Sequence, residues 1–272
     1  MGIQKGLLSD DARKELYRNL KSCGIDSSYQ LIRAEALAHK ILPYTAHVQN
    51  FTLHDVGHSI RVIQYINAIV EATSENHPCN ESEVTSLYIA GWLHDIGMIH
   101  SKREEHAKRS SEMIGGLETE GYIELGPLLK PVKKIVEFHS ARMPSDFSTL
   151  KKETINGEKM DMLYLCAAFR LADESDMTIE RAPRVVDYLL KDKLSPEAID
   201  NWRANQAVKS IDYLPDGHIK IVVDDYKSAS FLLEKYNIEL KNMKPFIDQK
   251  LGSSVEIQDT DGNSLYTLPP DL

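Results

Sequence analysis

The feature that most constrains this chain is a series of segments with helical hydrophobic periodicity in its central part. The first segment starts at His58, and four others follow at about 82–95, 103–117, 127–139 and 159–176. In each, apolar residues recur three or four positions apart, which predicts amphipathic helices with one face to bury. Short helices of this kind can bury those faces only against each other. The sequence therefore predicts a mostly α-helical bundle.

Each of these helices carries an ionisable residue in register with its apolar face. These residues are His58, His94 with the adjacent Asp95, His106, His139 and Asp173. Burying isolated imidazolium or carboxylate groups is costly, so they need partners. A divalent metal in the bundle core would satisfy them together. Two alternatives stay open: each His is a hydrogen-bonded core residue, and Glu174 or Asp176 takes the place of Asp173.

The rest of the chain has a different character. Segments 10–21 and 28–42 look like two N-terminal helices, and residues 184–207 also look helical. After the central part, two β-prone hairpins around Pro215-Asp216-Gly217 and Asp261-Gly262 flank a helix at about 226–243. We therefore expect three parts: N-terminal helices at 1–43, a helical metal-binding domain at 44–207, and a small α+β appendage at 208–272.

Composition limits the classes of partner. The net charge of -9 over 272 residues disfavours binding of long nucleic acid, which needs a basic surface. A small phosphorylated substrate stays compatible, because bound metal ions add local positive charge. The three cysteines have no metal-binding or disulfide spacing. The sequence shows neither an apolar run long enough for a membrane span nor a signal peptide, so we expect a cytoplasmic protein without membrane partners.

Three motifs resemble those of the HD-domain metal-dependent phosphohydrolases, over roughly residues 44–182. They are HSIRVI at 58–63, AGWLHDIGM at 90–98 and RLADESD at 170–176, which are similar to the successive H, HD and D motifs. The resemblance implies an HD-type helical bundle in which His58, His94, Asp95 and Asp173 bind a divalent metal. It also implies hydrolysis of a phosphate ester by a metal-activated water that Asp95 orients or deprotonates.

Two further strings are similar to the additional His motifs of HD proteins with two metals, including the HD-GYP phosphodiesterases. They are EEHAKRSSEMI at 104–114 and KIVEFHS at 134–140. This implies that His106 and His139 bind a second ion, with Asp95 bridging. Ser140 stands where HD-GYP proteins have a second His, and the GYP motif is missing, so cyclic-dinucleotide hydrolysis of that kind is not expected. The donor set suits Mn, Fe, Mg, Ni, Co or Zn, as one or two ions.

The string FTLHDVGHS at 51–59 resembles the cyclic-nucleotide phosphodiesterases, in which a His four residues before the metal-binding His acts as general acid. That resemblance implies a catalytic role for His54, and a turn or N-cap residue is the alternative. Together with ERAP at 180–183, the motifs are also similar to HD modules that precede chaperone-type ATPase domains. Arg103 and Arg142 are candidate phosphate ligands; further candidates are Lys102, Arg109, Arg181 and Arg184.

The expected function is hydrolysis of a nucleotide or related phosphate ester by a phosphohydrolase or phosphodiesterase. Three alternatives remain: a metal-binding regulatory module that senses a nucleotide, a metal-dependent nuclease, and a di-iron oxygenase. The sequence leaves open whether the chain forms homo-oligomers or acts with a further domain.

Overall fold

A computed structural model of the chain describes residues 28–47, 52–100, 105–140, 147–155, 157–190 and 192–268. These residues form a mostly α-helical fold, which confirms the predicted fold class. No helix among them is both long enough and apolar enough to cross a membrane. The predicted helix at 10–21 and the candidate phosphate ligands Arg103 and Arg142 lie outside the described residues.

Six helices precede or build the centre of the fold: α1 (Ser28–Ile41), α2 (Val56–Thr73), α3 (Glu81–Leu93), α4 (His106–Thr119), α5 (Leu129–Phe138) and α6 (Met162–Ser175). Three more follow: α7 (Arg184–Leu190), α8 (Pro196–Ala207) and α9 (Tyr226–Ile247). Short 3₁₀ turns occupy Leu42–His47, Ile96–His100, Gly126–Leu128 and Phe147–Thr149. The strands are β1 (Lys152–Ile155), β2 (Glu158–Asp161), β3 (Val208–Tyr213), β4 (Ile219–Val223), β5 (Val255–Asp259) and β6 (Ser264–Leu268).

Side-chain caps set where the central helices begin. Asp55 is the N-cap of α2, and its carboxylate accepts a hydrogen bond from the backbone N–H of His58 at 3.0 Å. Asn80 and Glu83 form a capping box at the start of α3. Asp161 caps α6 by accepting from the backbone N–H of Tyr164. These caps fix the starts of the three helices that carry or lead to His58, His94, Asp95 and Asp173.

Two predicted helices differ from the structure. The helix expected at 159–176 begins only at Met162, because β1 and β2 form an antiparallel hairpin in front of it, with Gly157 at a φ of 84°. The helix expected at 184–207 is split into α7 and α8. Ser195 caps α8, and Pro196 occupies its first turn, where a proline fits because it has no N–H to donate.

Helix α6 lies at the centre of the core. The six residues at 164–169 are all buried, so this helix is enclosed on every side rather than on one face. It packs against α2, α3 and α5 and, on another side, against α9. Residue Asp173 therefore stands where several helices converge.

The C-terminal strands form one four-stranded sheet in the order β3-β4-β5-β6. The two predicted hairpins are confirmed as the antiparallel pairs β3–β4 and β5–β6, and a parallel β4–β5 pair joins them. Helix α9 connects the two parallel strands and packs on α6 and α8. Its buried residues belong to the same continuous hydrophobic core as α6. The division of the chain at residue 208 stays a prediction.

Gly97 allows the turn after α3 to approach α4 closely. Its N–H donates to Ser110 Oγ at 2.8 Å, and a Cβ at this position would lie 2.4 Å from the backbone oxygen of His106 and 2.5 Å from the backbone nitrogen of Ser110. We expect G97A to lower the free energy of unfolding by about 1–3 kcal/mol, because backbone atoms cannot yield as a flexible side chain would. Thermal or urea denaturation measures the change.

The matched control is G116A, in the exposed part of α4, where a Cβ would meet nothing within 4 Å. That substitution should stabilise the protein by roughly 0.5–1 kcal/mol, since alanine favours the helix over glycine. Equal stability of the two variants would contradict the proposed close approach.

Candidate metal centre

The structure brings together the six residues that the sequence predicts as metal ligands. His58 lies in the first turn of α2, and Asp173 lies near the end of α6. His94 is the C-cap of α3 and Asp95 follows it. The remaining two are His106, the first residue of α4, and His139, the C-cap of α5. Four of the six are almost completely buried: His58, His94, Asp95 and His139.

The first cluster is formed by His58, His94, Asp95 and Asp173. The Nε2 atoms of His58 and His94 lie 3.0 Å apart. Asp173 Oδ1 lies 3.1 Å from His58 Nε2, and Asp95 Oδ2 lies 3.1 Å from His94 Nε2. One ligand atom each of His58, His94 and Asp95 thus lie close enough together to hold one ion, and Asp173 Oδ1 lies beside them, 3.8 Å from His94 Nε2.

The second cluster is formed by His106, His139 and the other oxygen of Asp95. The Nε2 atoms of the two imidazoles lie 2.7 Å apart. Asp95 Oδ1 lies 3.5 Å from His106 Nε2 and 3.9 Å from His139 Nε2. Asp95 therefore directs one carboxylate oxygen to each cluster, which is the arrangement of a bridging ligand.

Hydrogen bonds on the outer side of the rings fix which nitrogen faces inward. His94 Nδ1 lies 3.1 Å from the carbonyl oxygen of Gly91, and His139 Nδ1 lies 2.5 Å from that of Val136. A carbonyl can only accept, so each Nδ1 carries the proton. The Nε2 lone pairs of these two rings then point into the clusters, as metal-ligating imidazoles require.

The donor atoms fit a divalent cation. Asp95 Oδ2 and Asp173 Oδ1 are buried and accept no hydrogen bond from any described residue. Buried carboxylate oxygens without a donor are costly, and so are inward lone pairs facing each other. A cation at each cluster would compensate both costs, and nitrogen with carboxylate oxygen is a donor set that first-row divalent ions accept.

The pKa shifts in the first cluster also favour the binding of a cation. Burial and Arg181 oppose a charge on His58, but the adjacent carboxylates of Asp173, Asp176 and Asp95 outweigh them and raise the pKa of His58 from 6.5 to about 10. The pKa values of Asp95 and Asp173 stay well below their usual range despite burial, because neighbouring histidines favour the carboxylate form. The cluster therefore attracts positive charge, which a proton on His58 supplies when no metal is bound.

In the second cluster, His139 is held neutral. Burial and the adjacent His106 and His94 lower its pKa to about 3. A neutral ring keeps its Nε2 lone pair available for a metal at ordinary pH.

Asp176 and Arg61 are candidate functional residues in positions that the sequence did not predict, since Asp176 was only an alternative to Asp173 as a ligand. Asp176 accepts from His58 Nδ1 at 2.6 Å and from Arg61 Nε at 2.6 Å. It thus lies behind the ring of His58, away from the cluster. Glu174, the other alternative to Asp173, forms an ion pair with Lys235 instead. The sequence contains one indication of this pair: Arg61 follows His58 by three residues, and Asp176 follows Asp173 by three.

A cavity of about 750 Å³ opens at the two clusters. Asp95 and Asp173 form one end of it, and α8 and α9 contribute Asn201, Asn205 and Lys235 to the other side. His54 also lines the cavity, with its Nδ1 2.7 Å from the backbone oxygen of Thr52. Burial, Arg181 and His58 together lower the pKa of His54 to about 3, against the opposing effect of Asp95. Its expected role as a general acid stays a prediction.

We expect metal binding to release a proton. At neutral pH the metal-free chain carries a proton on His58, whose pKa is raised to about 10, and a cation must displace it. Metal affinity should therefore rise about tenfold per pH unit between pH 7 and 9. The raised pKa of His58 also stabilises the metal-free fold, and this contribution is complete at pH values below 6.5. It is lost as the pH rises toward 10, so the metal-free protein should become less stable between pH 7 and 9. Calorimetric titration with Mn²⁺ in buffers of different ionisation enthalpy counts the protons, and a count of zero would contradict this picture.

D176N should weaken metal binding roughly 10–100-fold, because the ring of His58 loses the carboxylate that orients it and raises its basicity. Competition with a chromogenic chelator measures the affinity. The matched control is E180Q. The Glu180 side chain is 67% exposed and lies 3.8 Å from Arg61, so removal of its charge should leave the affinity unchanged. Equal affinities of D176N and the wild-type chain would show that Asp176 has no role in the site.

Comparison with known proteins gives one family. Among the curated proteins, none matches this chain. A family model described as HD-CE matches residues 48–251, which is more than half of the 272 residues and includes all six candidate ligands. The HD-domain resemblance expected from the sequence motifs is thereby confirmed, and the chain belongs to the HD-CE family.

Proposed function

We propose that this chain is a divalent-metal-dependent phosphohydrolase that acts on a nucleotide or a related small phosphate ester. The observation that carries the proposal is the position of Asp95, whose two carboxylate oxygens each face a separate pair of imidazole Nε2 atoms. Paired metal sites of this kind serve phosphoryl transfer, because they stabilise both the attacking and the leaving oxygen.

The candidate ligands would hold two metal ions. His58, His94, Asp95 and Asp173 would hold one ion, and Asp95, His106 and His139 would hold a second. Bound ions would lower the pKa of a water molecule and stabilise negative charge on phosphoryl oxygens. Asp95 and Asp173 both line the cavity, where their carboxylates can orient that water by accepting its hydrogen bonds.

The shape of the cavity supports a small substrate. A volume of about 750 Å³ is in the usual range for small-molecule sites. The wall formed by α8 and α9 presents hydrogen-bonding side chains that include Asn201, Asn205 and Lys235. The net charge of -9 adds no support for binding a long polyanion. A nucleotide combines a phosphate for the ions with polar base and sugar groups for this wall.

The alternative is a regulatory module that binds a nucleotide without turnover. One observation favours it: α8 and α9, which follow the metal-binding helices in the chain, line the same cavity. A ligand there would contact the C-terminal part of the protein directly, so its binding could change how that part meets a partner.

Phosphate release from a panel of nucleotides and phosphate esters, with and without Mn²⁺, tests the function. We expect metal-dependent turnover and about two metal ions per chain by elemental analysis, as in two-metal phosphatases. D95N should lower turnover at least ~100-fold and reduce the metal content, since one carboxylate serves both clusters. H139A should retain one ion.

E112Q is the control, because Glu112 is exposed on α4 and contributes to neither cluster. A metal-loaded chain that binds a nucleotide of the panel without releasing phosphate would favour the regulatory alternative. Full turnover by metal-free protein or by D95N would contradict both metal-dependent readings.

A further inference from the structure

Three of the described residues that line the cavity are arginine or lysine: Arg170, Arg181 and Lys235. Arg170 donates to both oxygens of Glu239, at 2.9 and 3.0 Å, and Lys235 donates to Glu174 at 2.6 Å. Those two charges are neutralised within the protein. Among the described residues, no carboxylate forms an ion pair with Arg181, so its charge stays available to an anion in the cavity.

Arg181 is held in place by neutral acceptors. Its Nη1 donates to the backbone oxygen of Asp176 at 3.0 Å, and its Nη2 donates to His54 Nε2 at 3.0 Å. The carboxylate of Asp176 is engaged by His58 and Arg61. The guanidinium therefore keeps its full positive charge, and each Nη has a second N–H that neither of these two bonds uses. Two parallel N–H groups match the oxygens of a phosphate.

His54 is arranged as an acceptor. Its Nδ1–H donates to the backbone oxygen of Thr52 at 2.7 Å, which leaves the lone pair on Nε2. A guanidinium has only donors, so in the bond to Arg181 Nε2 must accept. The backbone oxygen of His54 accepts from Thr45 Oγ1 at 3.1 Å, and Leu53 N–H donates to the backbone oxygen of Arg181 at 3.0 Å. These bonds join the segment before α2 to the segment after α6.

We propose that Arg181 binds the phosphoryl oxygens of the substrate and that His54 is a positioning residue that holds the guanidinium by accepting its hydrogen bond. This inference rests on the proposed function, and it assigns His54 a role other than the general acid expected from the sequence. The two roles need opposite states of Nε2: a general acid donates a proton from this atom, whereas a positioning residue keeps it unprotonated.

The first experiment compares leaving groups in the Mn²⁺-loaded chain, with p-nitrophenyl phosphate and phenyl phosphate as substrates. A p-nitrophenolate leaves without protonation, whereas a phenolate benefits from an acid. If His54 positions Arg181, H54A should lose the same factor with both substrates. H54Q should retain activity within about tenfold of the wild type, because the amide oxygen can accept from the guanidinium.

Loss of a general acid has a different signature. H54A and H54Q would then both lose roughly 100-fold or more with phenyl phosphate and much less with p-nitrophenyl phosphate, because glutamine cannot transfer a proton. That result would overturn the proposal. A double variant H54A/R181A that is no worse than R181A would support it, since both substitutions then remove one unit.

The second experiment needs no turnover and separates this inference from the proposed function. Calorimetry measures the affinity of the Mn²⁺-loaded chain for inorganic phosphate. R181A should lower that affinity about 10–100-fold, which corresponds to the loss of charged hydrogen bonds, and H54A should lower it less. R203A is the matched control, because Arg203 is exposed on α8 and does not line this cavity.

Thermal melting of each variant shows that it is folded, and H54Q offers a conservative change where H54A fails to fold. Phosphate affinity that is equal in R181A and the wild type would overturn the proposal. Failure of the wild-type chain to hydrolyse any ester would remove the proposed function, and the phosphate-binding comparison would still decide whether Arg181 binds the anion.

Discussion

The rest of the structure depends on how the carboxylate of Asp95 is compensated. This group is 2% exposed, and one of its oxygens accepts no hydrogen bond from the described residues. A buried charge of that kind must meet opposite charge close by. Four helix termini around it carry the imidazoles that could hold a cation beside it: the first turns of α2 and α4 and the C-caps of α3 and α5. The helices of the bundle thus surround the buried carboxylate of Asp95.

The part of the chain that follows the helices with the candidate ligands forms the other side of the cavity. Ion pairs Arg170–Glu239 and Lys235–Glu174 tie α9 to α6, the helix of Asp173. The result is a cavity with the candidate metal ligands at one end and hydrogen-bonding groups along the wall. This combination is the reason for proposing a small phosphate ester, and not a polymer, as the substrate. The family match continues past residue 208, to residue 251, and therefore includes α9.

The sequence predicts that the candidate ligands meet, because helical spacing is a local property. His58, His94, His106, His139 and Asp173 are each in register with apolar neighbours, and burial of one face brings them to a common centre. The outer bonds are harder to foresee. Asp176 was an alternative ligand in the sequence, and only the tertiary arrangement places it behind His58 with Arg61. The contact between Arg181 and His54 joins residues 127 positions apart, which no periodicity reveals. The β1–β2 hairpin and the break before Pro196 were missed because short polar strands and a single proline are weak local signals.

The hydrogen bonds of His94 and His139 have one more consequence. The carbonyl groups of Gly91 and Val136 belong to the last turns of α3 and α5, where backbone oxygens have no helical partner. Each imidazole satisfies one of these oxygens with its outer nitrogen and faces the cluster with its inner one. The same side chain thus seals the end of its own helix and presents a ligand. Replacing either ring would remove a hydrogen bond at the helix terminus and a candidate ligand at the same time. The stability of that helix end and the affinity of the site for ions would therefore depend on the two nitrogens of one imidazole.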